Sequence, residues 1–301
     1  MPPSSDMSEF RKALAGAKNI IIASGAGLSA PSGIATYRGT ANSTWSNPRV
    51  VKYSRHETFK DDPSGSWQFS HHRRLNFLAA KPNAAHLALA AIYKPDVKSR
   101  VFPSAVSGPV HVTQNIDELS VRALKLLPES SAKDGLENLF PIHGSFFRTR
   151  CLSCKQVKHS YEPFLAEAFK DLPDGPDDFV DIPVEKLPKC GGDQWAGSNR
   201  YGNCGGLLRL DVVWFGEVPP LMGEVARKVT WCDLLIVIGT SAVVQPVAEF
   251  ASQVRGHGGK VAVFNIDRSN HDEEADFLFL GSCDVTVPEA FDVTMDIKDL
   301  E

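Results

Sequence analysis

Residues 19–39, NIIIASGAGLSAPSGIATYRG, decide how this chain folds. The apolar run Asn19-Ile-Ile-Ile-Ala-Ser24 lacks polar alternation, as a parallel strand buried on both faces would. Gly25, Gly27 and Ala30 then fit G-x-G-x-x-G/A. In that turn the first glycine allows a tight bend and the second lets backbone amides approach a pyrophosphate. An ordinary glycine-rich strand-to-helix turn would use the same letters. Pro31 and Gly33 predict that the helix after the turn is short and gives way to a loop. Ser29, Tyr37, Arg38 and Gly39 carry the signal into that loop, which stands where it can cover a bound cofactor.

Outward from this turn, apolar runs at 20–22, 110–112, 234–238 and 261–264 each lead into small or polar residues. Helix-like stretches lie between them at 8–17, 84–93, 118–127, 221–228 and 246–255. The alternation predicts an α/β fold, a Rossmann-like doubly wound parallel sheet covered on both faces. Ligand-binding residues then gather beyond the carboxyl ends of the strands, in one nucleotide crevice. Two stretches break the pattern. Residues 41–80 read as a helical insertion, with Trp67, His71, Leu75 and Leu78 on one face. Residues 148–208 are rich in Cys, Gly, Pro and Asp and read as a small inserted metal-binding module. The Rossmann part is then 1–40, 81–147 and 209–301, within one catalytic unit spanning 1–301.

Composition narrows the function classes. With 301 residues and 43% hydrophobic content the chain can bury a full core. A formal net charge of −4 argues against a general nucleic-acid binder. No apolar run is long enough to span a bilayer, and the first residues lack a signal-peptide hydrophobic region. A soluble intracellular protein is therefore expected, in cytoplasm, nucleus or mitochondrion. Six cysteines in such a chain point to metal and free thiols rather than disulfides. Cys151-x2-Cys154 with Cys190 and Cys204 supplies four thiolates for a tetrahedral, closed and hence structural zinc site. Thirteen residues separate the second pair, wider than a usual knuckle, and a redox C-x-x-C with two further thiols is the other reading.

His143, in Phe140-Pro-Ile-His-Gly-Ser145, stands at the junction of the two modules, with Gly144 leaving room beside it. It is a structural hydrogen-bonder or a general base. Thr113-Gln-Asn-Ile-Asp-Glu-Leu119 closes one strand, and Asn115 or Asp117 there could simply cap the following helix. Val212-Val-Trp-Phe-Gly-Glu217 suits either a core strand or an edge that accepts an extended peptide.

Taken together, GAGLSAPSGIATYRG, TQNIDEL, IHGSFFRTRC, VVWFGE and GTSAVV resemble the sirtuins, the NAD-dependent protein-lysine deacylases, over most of the chain. The phrases are nearest the class III branch, which includes desuccinylases and demalonylases. The resemblance implies an enzyme that moves an acyl group from a protein lysine to ADP-ribose, releasing nicotinamide. It implies NAD as co-substrate and structural zinc on Cys151, Cys154, Cys190 and Cys204. Acylated lysine in proteins would be the partner, with no nucleic acid or membrane. By the same likeness His143 is the general base and Asn115 a second catalytic residue. The NAD site would comprise Gly25, Ala26, Gly27, Ser29, Ala35, Tyr37, Arg38, Gln114, Asn115, Ile116 and Asp117. It would continue through Gly239, Thr240, Ser241, Asn265, Ile266, Asp267 and Cys283. Val213, Trp214, Phe215, Gly216 and Glu217 would pair with the substrate backbone. Ala35 departs from the usual proline and Tyr37 from the usual phenylalanine, both in the loop over the cofactor. Two rivals share the scaffold: a protein ADP-ribosyltransferase, and a non-catalytic reader of NAD or acyl-lysine.

Class III sirtuins bind the acidic acyl end with a Tyr-x-x-Arg pair. The matching positions here are Ser70 and Arg73, three apart and so on one helix face. Arg73 could grip a carboxylate, whereas the serine cannot replace the tyrosine. Acetyl, crotonyl and succinyl or malonyl groups all remain open. The alternative is that 70–74 forms a solvated basic face.

Overall fold

The computed structural model describes residues 2–36, 47–173, 175, 178–192, 204–240, 247–269 and 272–294. Its strands are β1 Ile20–Ser24, β2 Val110–Thr113, β3 Leu139–Pro141, β4 Gly144–Cys151, β5 Val157–His159, β6 Leu208–Val212, β7 Leu234–Ile238, β8 Lys260–Asn265 and β9 Phe277–Leu280. The helices are α1 Met7–Gly16, α2 Pro48–Tyr53, α3 His56–Asp61, α4 Pro63–Ala79, α5 Ala84–Ala91 and α6 Pro95–Val101, then α7 Leu119–Leu124, α8 Glu129–Glu137, α9 Met222–Val229, α10 Val247–Gly256 and α11 Cys283–Phe291.

Six strands form one parallel sheet in the order β3-β2-β1-β7-β8-β9. With the intervening small sheet set aside, this is the doubly wound order in which chain direction reverses beside β1. The crevice beyond Ser24 and Ile238 is therefore the expected ligand position. Both faces are buried, and the side chains alternate between two cores. Ile20, Ile22, Leu234 and Ile236 join Phe10, Leu89 and Phe291 on one face. Ile21, Ala23, Leu235 and Val237 join Val225, Val229 and Phe250 on the other. That two-sided burial is why these strands read as continuous apolar runs.

β4, β5 and β6 form a separate antiparallel sheet in the order β5-β4-β6. It reaches from Gly144 to Val212, past both ends of 148–208, so the residue after His143 already belongs to it. Helices α3 and α4 pack against this sheet, with Phe59, Trp67 and Phe77 joining Phe146, Phe147, Phe169 and Trp214 in a third core, while α2 packs on α4 through Val50, Tyr53 and Phe69. Asp62 starts α4 by accepting the Gly65 amide at 2.8 Å. Trp67 and His71 are buried as the periodicity predicts, while Leu75 and Leu78 are half-buried. Among the described residues no helix is long and apolar enough to cross a membrane.

Candidate active site and metal centre

The glycine turn after β1 does not open into a regular helix. It forms two short 3-10 turns, Ala26–Leu28 and Ala30–Ser32, ended by Gly33 in the left-handed region at φ 83°. Pro31 and Gly33 thus end the helix as their chemistry requires. The amides of Gly25 and Gly27 are used inside the protein, on the carbonyls of Ile238 (2.9 Å) and Gly239 (2.8 Å). A Cβ on Gly27 would lie 2.5 Å from Gly239 Cα, and one on Gly239 (φ 60°) 2.5 Å from the Leu28 amide. These glycines therefore serve first to let two backbone turns touch across the β1–β7 crevice.

A cavity of about 1050 Å³ opens there. Ala26, Gly27, Gln114, Asn115, Ile116, Gly239 and Thr240 form one wall, and Asn265, Ile266, Asp267 and Cys283 stand at the ends of β8 and β9. His143, Ser70, Arg73 and 213–217 also line it. The volume exceeds that of an ordinary small-ligand pocket and accommodates a dinucleotide together with an extended side chain. Cys283 is buried, its thiol pushed up to about 12 chiefly by desolvation, and donates to the Gly27 carbonyl at 3.2 Å. Ala35 is exposed beside the cavity-lining Thr36. Tyr37, Arg38 and Ser241 lie outside the described residues.

Four predicted residues among the described ones, Gly25, Ser29, Ala35 and Asp117, do not line this cavity. Ser29 is fully buried, donates to Asp117 Oδ2 at 2.8 Å and accepts from Asn115 Nδ2 at 3.1 Å. Asp117 caps α7 through the Leu119 amide at 2.8 Å and lines a separate cavity of about 220 Å³ that Asn115 also borders. Burial pushes its carboxyl above the ordinary range, against the pull of the Leu119 and Ser29 bonds. Asn115 Nδ2 also donates to the Gly25 carbonyl at 3.0 Å, so the amide nitrogen is committed and Oδ1 is the atom left for a ligand.

His143 occupies the two-residue turn between β3 and β4. Its Nδ1 is 3.1 Å from the Gln114 carbonyl, which can only accept, so the neutral ring carries its proton on Nδ1 and a lone pair on Nε2. Burial lowers its pKa below the ordinary imidazole value, partly offset by that hydrogen bond. Gly144, at φ 80°, lets β4 approach β6: a Cβ there would sit 2.1 Å from the Asp211 carbonyl. Gln114 also accepts from Thr240 Oγ1 at 3.2 Å, tying the two strand ends together.

In the stretch 213–217, the Val213 amide bonds the His143 carbonyl and the Phe215 amide bonds the Ser54 carbonyl, both at 2.9 Å. The Glu217 carboxylate is spent internally, on Arg209 (2.7 and 3.0 Å) and on the Trp214 amide (3.0 Å). Gly216, at φ 92°, has open space around its Cα. Glu217 therefore orders the turn, and Gly216 stands at the cavity with open space beside it.

Ser70 and Arg73 both reach the cavity. The Ser70 hydroxyl donates to the Ser66 carbonyl at 2.7 Å, within its own helix. The Arg73 guanidinium lies 5.0 to 5.6 Å from the ring centroids of Phe146, Phe77 and Phe69. Tyr53 and Phe69, stacked at 5.4 Å, complete that end; nothing in the sequence marked them, since they come from two helices. Arg74 corrects the picture of a solvated basic face. It is 1% exposed and donates to the carbonyls of Phe146 (2.6 Å), Ser160 (2.6 Å) and Glu162 (2.8 Å).

The four predicted metal ligands converge. Cys151, Cys154, Cys190 and Cys204 have all Sγ atoms within 4.8 Å of one another, with pairs at 3.4 and 3.8 Å. Tetrahedral zinc with Zn–S near 2.3 Å places sulfurs about 3.8 Å apart, so the donor set fits the ion. A Cβ on Gly206 would lie 2.9 Å from Cys151 Sγ, so this ligand turn needs a glycine. The spacer at 193–203 lies outside the described residues.

Comparison with known proteins adds an independent line. The sequence model of the Sir2 family matches residues 25–246. The chain is 42% identical over 292 residues to NAD-dependent protein deacylase sirtuin-5, mitochondrial, of Canis lupus familiaris, covering 96% of this chain and 86% of that one. It is 37% identical over 292 residues to an NAD-dependent protein deacylase of Daphnia pulex, covering 96% and 97%. Among solved structures, a Sir2 homolog–NAD complex superposes with TM-score 0.71 at 29% identity, covering 100% of this chain and 98% of that one. A mutant Sir2 homologue bound to ADP-ribose superposes with TM-score 0.72 at 30% identity, covering 94% of each.

Proposed function

Because the chain belongs to the Sir2 family, we propose that it is an NAD-dependent protein-lysine deacylase working through the cavity between its two sheets. The observation that carries the reading is that one cavity is bordered by both the glycine turn and His143. NAD supplies a ribose whose bond to nicotinamide breaks, and the resulting ADP-ribose unit accepts the acyl group. His143 Nε2, free because Nδ1 is held by Gln114, takes a proton from a ribose hydroxyl. General-base catalysis of this kind contributes on the order of 10²–10⁴-fold. Asn115, fixed through Nδ2, offers Oδ1 to the same ligand. Zinc on the four cysteines is structural, holding β4 against the turn that precedes β6. The 41–80 insertion, through Tyr53, Phe69, Ser70 and Arg73, then serves together with residues 212–219 as one wall of the acyl-lysine tunnel.

For the acyl group, Arg73 among three phenyl rings offers one cationic contact at the end of the cavity, with the Ser70 hydroxyl turned into its helix. That is a one-point grip for a carboxylate, in place of a two-point clamp. The experiment is NAD-dependent release of free lysine from peptides bearing acetyl, crotonyl, succinyl and malonyl groups, with His143→Ala as control. We expect turnover that the control lacks, and Arg73→Ala should depress the acidic substrates most. NAD binding with no turnover on any peptide would overturn the deacylase reading.

A further inference from the structure

Glu118 occupies a backbone conformation that glutamate does not favour. It sits at φ 56°, ψ 18°, in the left-handed region, immediately before α7. Neither the turn nor the helix explains the residue. Glycine or asparagine would suit such dihedrals better, and the cap of α7 is supplied by its neighbour Asp117. The carboxylate, however, is nearly buried, at 8% exposure. It accepts from Ser145 Oγ at 2.5 Å, Tyr161 OH at 2.7 Å and His159 Nε2 at 2.9 Å. Burial alone would raise its pKa; those three donors outweigh burial and hold it below the ordinary value.

The three donors belong to the small sheet and the segment after it, whereas Glu118 ends the loop 114–118 of the parallel sheet. Two bonds to main-chain carbonyls already join these parts: Gln114 O accepts from the His143 side chain at Nδ1, and Ile116 O accepts from the Phe146 amide at 3.0 Å. Glu118 adds a carboxylate tie through Ser145, His159 and Tyr161. Its partner Ser145 stands two residues after His143, where the β4–β6 register shifts between Ser145 and Thr149. While donating to Glu118, Ser145 Oγ accepts the Phe147 amide at 2.8 Å, which fixes this irregular backbone. An irregular strand held by its own side chain is free to slide if that side chain loses its anchor.

We propose that Glu118 is a positioning residue for the deacylation step, holding the His143 turn in register with the loop 114–118 through Ser145. The inference rests on the deacylase reading for its kinetic consequence, though not for its geometry. A displacement of about 1 Å at a reacting group can cost on the order of 100-fold. The effect falls on catalysis because Glu118 does not line the large cavity.

The test uses Glu118→Gly, which keeps the left-handed turn and removes the carboxylate, with Ser145→Ala and the double variant. On the acyl-peptide that the wild type turns over fastest, Glu118→Gly should lower kcat at least about 10-fold and leave KM for NAD within about 3-fold. Ser145→Ala should lower kcat too, and the double variant should be no worse than the poorer single one, as residues acting through one contact require. Amide exchange without ligand should accelerate in 143–147 and stay unchanged in 20–24 and 234–238. Glu118→Gln, which keeps the shape and loses the charge, should lie between and covers the case in which the glycine variant does not fold. Wild-type kcat in Glu118→Gly or Glu118→Gln, or multiplicative losses in the double variant, would overturn the proposal. If the wild type turns over no acyl-peptide, the deacylase reading fails, while unchanged exchange at 143–147 would by itself overturn the clamp.

Discussion

His143 Nδ1 lies 3.1 Å from the main-chain oxygen of Gln114, and this one bond fixes which ring nitrogen can act as a base. Because the acceptor is a carbonyl it holds the tautomer regardless of neighbouring side chains. Burial also disfavours the imidazolium, so the ring stays neutral to lower pH than a free histidine. The acid limb of the kcat/KM profile should therefore fall below pH 6.5, the ordinary imidazole value. His143→Ala should remove the limb along with about 10²–10⁴-fold of rate. A limb above the ordinary value, or one that survives in the variant, would assign the base to another group.

The four cysteine sulfurs already stand at metal-ligand separations, which leads to a prediction about stability. Purified protein should contain close to one zinc per chain. Strong chelation should lower Tm and unfold the small sheet, because a closed zinc site contributes directly to folding. Since β4 runs from Gly144 to Cys151, loss of metal at one end should also loosen the His143 turn at the other and abolish turnover. A metal-free protein with unchanged Tm and activity would favour the reading of four free thiols.

Much of this arrangement was legible in the sequence, and the exceptions have physical causes. The parallel strands were readable because burial on both faces leaves apolar runs without alternation. Cys151 and Cys154 were readable at knuckle spacing, whereas Cys190 and Cys204, separated by thirteen residues, were weaker signals whose convergence on the first pair shows only in the folded chain. Gly27 was legible as a glycine that must be glycine, but the reason differed: its amide bonds Gly239, and its missing side chain admits that turn. Arg73 and Arg74 are adjacent and chemically alike, yet one borders the cavity and the other is sealed beneath the zinc module. What separates them is a set of carbonyls at Phe146, Ser160 and Glu162, supplied by chain that is distant in sequence and invisible to helical periodicity. β3, Leu139–Pro141, is only three residues long and ends in proline, which leaves too short an apolar run to stand out as a strand. Glu118 stands inside TQNIDEL, yet its role gave no sequence signal, because its left-handed backbone and its three donors exist only in the folded chain.

Two fully enclosed histidines set the response to acid. His86 and His111 have their pKa lowered by burial to about 3 and about 4. His86 is pinned between the Asn83 amide (3.4 Å) and Ser29 Oγ (3.5 Å), and His111 Nε2 lies 2.8 Å from Ser24 Oγ. The unfolded chain binds a proton on each near pH 6.5, whereas the folded chain does not until well below pH 5. Between those limits the unfolded state holds more protons, so stability declines as pH falls. Each histidine should cost roughly 2 kcal/mol at pH 5 relative to pH 7. Urea unfolding should show this as a falling midpoint with little change in m. His111→Asn, which cannot titrate in this range, should reduce the slope of stability against pH by about 1.1 kcal/mol per pH unit between pH 4.5 and 6. Equal slopes in the two proteins would mean that His111 takes up its proton while folded, and would contradict the enclosed, neutral ring beside Ser24.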